Sequence, residues 1–463
     1  MDIYKAPLLI ALPLVASLAC NAPTSDDLDS GGRVGAGSVG GSSNAGGTNG
    51  SSAGTGHTGS AGDNSTSNGG GVGAGDAGGH TSSSGGSAGR ANGGAPSTGG
   101  NAGTHVAGSG SGGGAAGHGM SGSGADCKAP TEYPNLFVTL SGHTQADSDA
   151  KVAAAWNQLF NPSNNNTVYH DGPGSDESYV EDTGNNDVRT EGMSYGMMTA
   201  VQLDKQTQFD RLWAWVKNHM AQGTTGEIAW HCSTSGSKLS TGGAPDGEEY
   251  MATALIFANH RWGSTGKFDY GKEAQWVLDL IRTKYFNATA HIVKFVSGSN
   301  NTDGSYVLPA FYQTWACFDT TNADFWNASV KAGREFFAKA ADSNGVIPDQ
   351  SSFTGQSMGS AGSDAKRCVM NIMMDANFFA ADPWQTNTYA PAFAAWMKSH
   401  SDNSAAQFSC NALLGFGVPD ATGKPFVDKL WSAQIPTGTY RYYDGTLYML
   451  GLLHVSGTFK LWF

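Results

Sequence analysis

Aromatic residues are missing between about Ser30 and Asp126, and charged residues are sparse there. A segment of Gly, Ser, Ala, Asn and Thr buries too little apolar surface to offset the entropy of ordering it. That excludes a packed domain and predicts a flexible tether. Its glycines keep no strict three-residue period with proline, which excludes a collagen-like rod. They also lack the flanking strand and helix of a phosphate-cradling loop. The apolar run near the N-terminus, Pro7 to Leu18, is shorter than the roughly 20 residues a membrane-spanning helix needs. Basic charge is in short supply, with 26 Lys and Arg against 39 Asp and Glu. The net charge of −13 repels nucleic acid and anionic membrane surfaces but not a neutral polymer. No HExxH is present, which excludes that class of zinc enzyme. Cysteines are few: Cys20, Cys127, Cys232, Cys317, Cys368 and Cys410. His231-Cys232 has no metal-ligand partners at useful spacing, so buried or disulfide-bonded cysteines are expected rather than a metal site. Spacing leaves the pairing open.

What is present divides the chain into three. Residues 1–20 have the form of an export signal, with Lys5 ahead of the apolar run and small residues before Cys20. Ser-Leu-Ala-Cys is similar to a bacterial lipobox, although Ser17 stands where Leu is usual. The expectation is a lipid anchor at Cys20, or else plain secretion with Cys20 lost alongside the signal. Residues 21–126 form the tether. Residues 127–463 hold all twelve Trp and nearly all the Tyr and Phe, enough for one large domain with a sizeable core.

Within that domain, apolar residues recur at helical spacing, as in Phe209, Leu212, Val216 and Met220. The pattern predicts helices over 148–160, 191–203, 206–220, 247–262, 270–285, 307–318, 323–342, 364–380, 386–400, 404–417, 424–434 and 443–456, with few strands. Twelve helices in series make six hairpins, and six hairpins closed into a ring make an all-α (α/α)6 barrel. A solenoid would show a fixed-period repeat, which is absent. The connections 163–187 and 221–245 are long, as functional loops often are.

Three carboxylates stand just ahead of, or at the start of, such helices: Glu191 in RTEGMSYGMM, Asp246 in PDGEEY and Asp364 in SDAKRC. Convergent at one end of a barrel, they would supply what glycoside cleavage needs, an acid for the leaving oxygen and a base for water. Each also has a structural explanation. Glu191 suits a helix first turn, where the dipole lowers its pKa. A general acid must hold its proton, so burial or a neighbouring carboxylate would have to raise it, with Asp246 as neighbour and Tyr195 or Met193 as cover. Asp246 suits an N-cap, with Glu249 completing a capping box. Asp364 suits an N-cap or an i,i+3 ion pair with Arg367, and an adjacent guanidinium would keep a base ionised. Most aromatics belong to the core. Trp230, Tyr306 and Tyr443 are the candidates for stacking on sugar rings, with Tyr195 and Arg367 at the same substrate-binding site.

With these residues the chain resembles glycoside hydrolase family 8. The stretches DVRTEGMSYGMM, AWHC, PDGEEYMATALIFANHRWG, GSYVLPAFYQTWA, SDAKR and YRYYDGTLYMLGLLHVSG carry the resemblance in order across Asp187 to Gly457. It implies an (α/α)6 barrel acting with inversion, Glu191 as general acid, Asp364 as general base and Asp246 at the cleavage subsite, helping to hold the proton on Glu191. Inversion implies acid and base carboxyls roughly 6.5–9.5 Å apart. PDGEEY and SYVLPAFY are most similar to the xylan-acting branch, which contains enzymes releasing xylose from reducing ends and endo-xylanases. Xylo-oligosaccharides or xylan are the expected substrate, with the reducing-end mode preferred. Cellulase or chitosanase activity is the alternative, and a non-catalytic glycan-binding protein a distant third. No cofactor or metal is implied, and a monomer is expected.

Overall fold

A computed structural model describes residues 127–223, 226–400 and 403–462. The expected export signal, Cys20 and the segment through residue 126 lie outside the described residues.

Twelve helices carry the architecture. They are α1 (Gln145–Leu159), α2 (Thr190–Gln202), α3 (Gln206–Trp215), α4 (Pro245–Trp262), α5 (Tyr270–Leu280), α6 (Pro309–Phe318), α7 (Ala323–Ala340), α8 (Cys368–Phe379), α9 (Ala390–Met397), α10 (Ala405–Asn411), α11 (Lys424–Ser432) and α12 (Arg441–Val455). Even-numbered helices form an inner ring: each packs against the next, and α12 packs against α2. Odd-numbered helices lie outside them. This is the (α/α)6 barrel expected from twelve apolar periodicities, and the predicted bounds fall near the observed ones except over 404–417, where the helix ends at Asn411 and a separate short helix spans Leu414–Gly417.

Burial separates the two sets as their sequences require. Inner α2 is buried along nearly its whole length, from Thr190 to Gln202, and has no polar face. Outer α7 buries one stripe, Trp326, Val330, Phe336 and Phe337, and leaves the other to water. Proline opens α4 and α6 at their first turns, where a backbone N–H has no partner to lose. Three outer helices include a π-helical turn: Val216–Met220 after α3, Ile281–Tyr285 after α5, and Gln385–Tyr389 before α9. Periodicity places residues on a face but does not distinguish these wider turns.

A small antiparallel sheet is added to the helices. Strands β1 (Tyr169–Asp171), β2 (Ser178–Asp182), β3 (Asp187–Arg189) and β4 (His231–Ser233) lie side by side in that order. Strand β3 runs directly into α2, and its Arg189 pairs with His231 of β4. The Thr190 N–H donates to the Trp230 carbonyl at 2.9 Å. The sheet therefore fixes the start of α2, and with it Glu191.

Cys127 is bonded to Cys317 near the end of α6, whereas Cys232, Cys368 and Cys410 are free and buried.

Candidate active site

The inner helices share a direction, with their N-terminal ends at one mouth of the barrel. Glu191 is the second residue of α2, Asp246 the second of α4 and Tyr442 the second of α12. Asp364 opens a 3₁₀ turn, Asp364–Arg367, that leads into α8. Glycine permits two close approaches here. A Cβ on Gly192 would lie 2.3 Å from the Tyr442 ring, and one on Gly247 would lie 2.5 Å from Thr190 Cβ. Only bare backbone lets α2, α4 and α12 begin in contact.

Arg367 joins the three acids. Its Nη1 lies 3.0 Å from Glu191 Oε2, 2.8 Å from Asp246 Oδ2 and 3.0 Å from the Tyr195 hydroxyl. Its Nη2 lies 3.1 Å from Asp364 Oδ1. The guanidinium is buried, so these pairs are poorly screened. Asp246 Oδ1 also accepts from the Gly247 N–H at 2.9 Å, and the Tyr442 hydroxyl donates to Glu191 Oε1 at 3.0 Å.

The acids differ in exposure: the side chains are 17% exposed for Glu191, 8% for Asp246 and 37% for Asp364. Burial lifts Glu191 to about 7, with the charges of Asp246 and Asp364 adding to it and Arg367 and Tyr442 opposing. Desolvation thus outweighs the helix dipole. Asp246 is also raised, chiefly by burial, against Arg367.

Two structural expectations need correction. Asp246 is not an N-cap: α4 starts one residue earlier at Pro245, and Ala244 holds the cap position. Glu249 closes no capping box, because it turns inward and meets the Tyr312 hydroxyl at 2.9 Å. Asp364 likewise caps nothing; Ser363 holds that position, and the i,i+3 ion pair with Arg367 forms instead.

The aromatic candidates gather at the same mouth in different settings. The Tyr306 ring is buried beside Arg367, 5.7 Å from its guanidinium carbon, and stacks on Phe295. Half-buried Tyr443 donates to the Ser363 carbonyl at 3.3 Å, next to Asp364. The Trp230 ring stacks on His231 at 3.7 Å and lies 5.5 Å from the Arg189 guanidinium carbon. Tyr195 is buried against Arg367 and Tyr250. Sequence reasoning did not single out Tyr442, whose partner Glu191 lies 251 residues away, nor Asp303, fully buried near Asp364. Gly192 beside Glu191 was the one local sign that another side chain comes close.

An inner ring of helices with three acids bridged at one end defines a helical-barrel glycosidase. The comparisons agree. The family model for glycosyl hydrolases family 8 matches residues 137–457, and the chain belongs to that family, whose members act with inversion. The "Reducing end xylose-releasing exo-oligoxylanase" of Halalkalibacterium halodurans is 35% identical over 370 residues, covering 72% of this chain and 95% of the relative. A crystal structure of a reducing end xylose-releasing exo-oligoxylanase matches with a TM-score of 0.67 at 33% identity, covering 72% of this chain and 96% of that one. Rex8A from Paenibacillus barcinonensis complexed with xylose matches with a TM-score of 0.67 at 32% identity, covering 72% and 98%.

Proposed function

We propose that this chain hydrolyses β-1,4-xylosidic bonds and releases xylose from the reducing end of xylo-oligosaccharides. The observation that carries the mechanism is the graded exposure of acids held by one guanidinium. Enclosed Glu191 keeps a proton near neutral pH and gives it to the leaving oxygen. Open Asp364 takes a proton from water as that water attacks the anomeric carbon from the other side of the ring. Asp246 bonds hydroxyls of the sugar being cleaved, and its charge helps hold the proton on Glu191. Trp230, Tyr306 and Tyr443 line the path of the sugar chain. Relatives named for reducing-end xylose release support the substrate and the mode.

The reading extends to location. The enzyme is exported, anchored through lipid on Cys20, and acts as a monomer, with residues 21–126 as a tether for the catalytic part 127–463. The Cys127–Cys317 disulfide supports passage through an oxidising compartment.

Product analysis on reducing-end-labelled xylohexaose, with cello- and chito-hexaose in parallel, tests the activity. Stepwise loss of labelled xylose is expected. Internal cleavage would make the enzyme an endo-xylanase, and turnover of another hexaose alone would overturn the substrate. Asp364→Asn should reduce turnover by thousands-fold, about 4 kcal/mol of barrier.

A further inference from the structure

The first turn of α4 carries two carboxylates that the reaction does not use, Glu248 and Glu249, both fully buried. Glu249 faces Tyr312 on the neighbouring inner helix α6. Its Oε1 lies 2.9 Å from the Tyr312 phenol oxygen, and the same phenol oxygen lies 3.2 Å from the backbone carbonyl of Tyr306. A phenol has one hydrogen to give. Two acceptor oxygens compete for it, and Glu249 is the one that can bring a hydrogen of its own.

The surroundings favour that hydrogen. Burial holds the Glu249 carboxyl well above its usual range; Asp246 and Glu248 add to this, while Tyr312 and Arg367 oppose. Its other oxygen, Oε2, is buried without a hydrogen-bond partner. With the hydrogen on Glu249, the chain runs one way: Glu249 O–H to Tyr312 oxygen, and Tyr312 O–H to the Tyr306 carbonyl. Neither phenol nor carbonyl is then left unpaired.

The far end of this chain is a turn held carbonyl by carbonyl. Asn371 of α8 donates to the Ser305 carbonyl at 2.7 Å and to the Val307 carbonyl at 3.3 Å. Tyr312 takes the one between. One helical turn deeper, α4 and α6 are already joined by Trp315 Nε1, which donates to Thr253 Oγ1 at 2.9 Å. The Glu249–Tyr312 pair is therefore not needed merely to hold the helices together.

We propose that Glu249 is a positioning residue of the hydrolase, donating its carboxyl hydrogen to Tyr312 so that Tyr312 holds the Tyr306 backbone and sets that ring beside Arg367. This rests on the reading that Tyr306 contacts substrate.

The test is a double-mutant cycle in the full chain, on whichever hexaose the enzyme turns over. Tyr312→Phe should lower kcat about tenfold, or 1.4 kcal/mol, with KM within about threefold. On a Tyr306→Leu background the same change should lower kcat less than about twofold, because the ring it orients is gone. Glu249→Gln, whose amide still donates, should stay within about threefold of the parent, whereas Glu249→Leu should match Tyr312→Phe. A parent-minus-Glu249→Gln infrared difference spectrum at neutral pH should show the band of a protonated carboxyl. Additive losses from Tyr306→Leu and Tyr312→Phe, or no protonated-carboxyl band, would overturn the role of Glu249 alone. Full activity in Tyr306→Leu would remove the role of Tyr306, and this inference with it. Should Glu249→Leu fail to fold, the tyrosine cycle and the spectrum still decide.

Discussion

Glu191→Gln should make this protein more stable as the pH rises, while nearly abolishing its activity. The Glu191 carboxyl sits at about 7 in the folded chain against an ordinary value of 4.5. A raised carboxyl means that the folded state binds the proton more tightly than the unfolded state between those two values. Stability is therefore present at low pH and falls as pH rises through that window. Linkage puts the loss from this one group at under about 1 kcal/mol at pH 5 and about 3 kcal/mol at pH 8. A glutamine does not titrate. It changes hydrogen bonds by an amount that does not depend on pH, so the difference between the two pH values isolates the proton. Urea unfolding of parent and variant at pH 5 and pH 8 should show the variant gaining about 2 to 3 kcal/mol on the parent between the two conditions. Turnover should meanwhile fall by thousands-fold, since an amide has no proton to give at this position. A stability difference that stays flat with pH would refute the argument. It would mean that Glu191 ionises in the folded protein as readily as in the unfolded one, and that the acid's proton is held by something other than burial.

Other outcomes follow from neighbouring contacts. Tyr442→Phe removes a bond that favours the ionised Glu191, so the alkaline limb of the rate profile should move up by up to about one pH unit, or about 1 kcal/mol. An unmoved limb would refute this. Arg367→Met leaves three carboxylates facing one another and should reduce stability by about 3–5 kcal/mol in thermal or urea unfolding at pH 7. Unchanged stability would show the acids already neutral. His454 is buried between Phe378 and Phe459 and lowered to about 3 by burial, so it stabilises the fold above about pH 6.5 and this is lost as pH falls. His454→Phe should recover about 2 kcal/mol at pH 5 relative to its effect at pH 8.

The helices were legible because apolar residues recur at helical spacing along most of them, around nearly the whole of inner α2 and on one stripe of outer α7, and that pattern is local. The three acids were legible because each stands at or just ahead of the start of such a segment. What was not legible depends on distant partners. Asp246 and Glu249 read locally as a capping box, yet one turns to a guanidinium 121 residues away and the other to a phenol 63 residues away. The strand over 187–189 is too short for a period-two pattern and exists through pairing with 178–182 and 231–233. Tyr442 sits among similar tyrosines in YRYY, and only its depth beside Gly192 separates it from the exposed Tyr440.

The closure of the ring bears on when the molecule becomes an enzyme. The start of the domain meets its end through Tyr133, whose hydroxyl reaches the Leu461 backbone across 328 residues. Contacts so far apart in sequence make for slow closure during folding. The hydroxyl that reaches Glu191 comes from α12, the twelfth of these helices in chain order. A chain caught with ten or eleven helices in place would own both proposed catalytic carboxylates and the guanidinium between them, but Glu191 would lack that partner and the wall that buries it. Folding and activation are thus the same event for this barrel, completed when α12 docks.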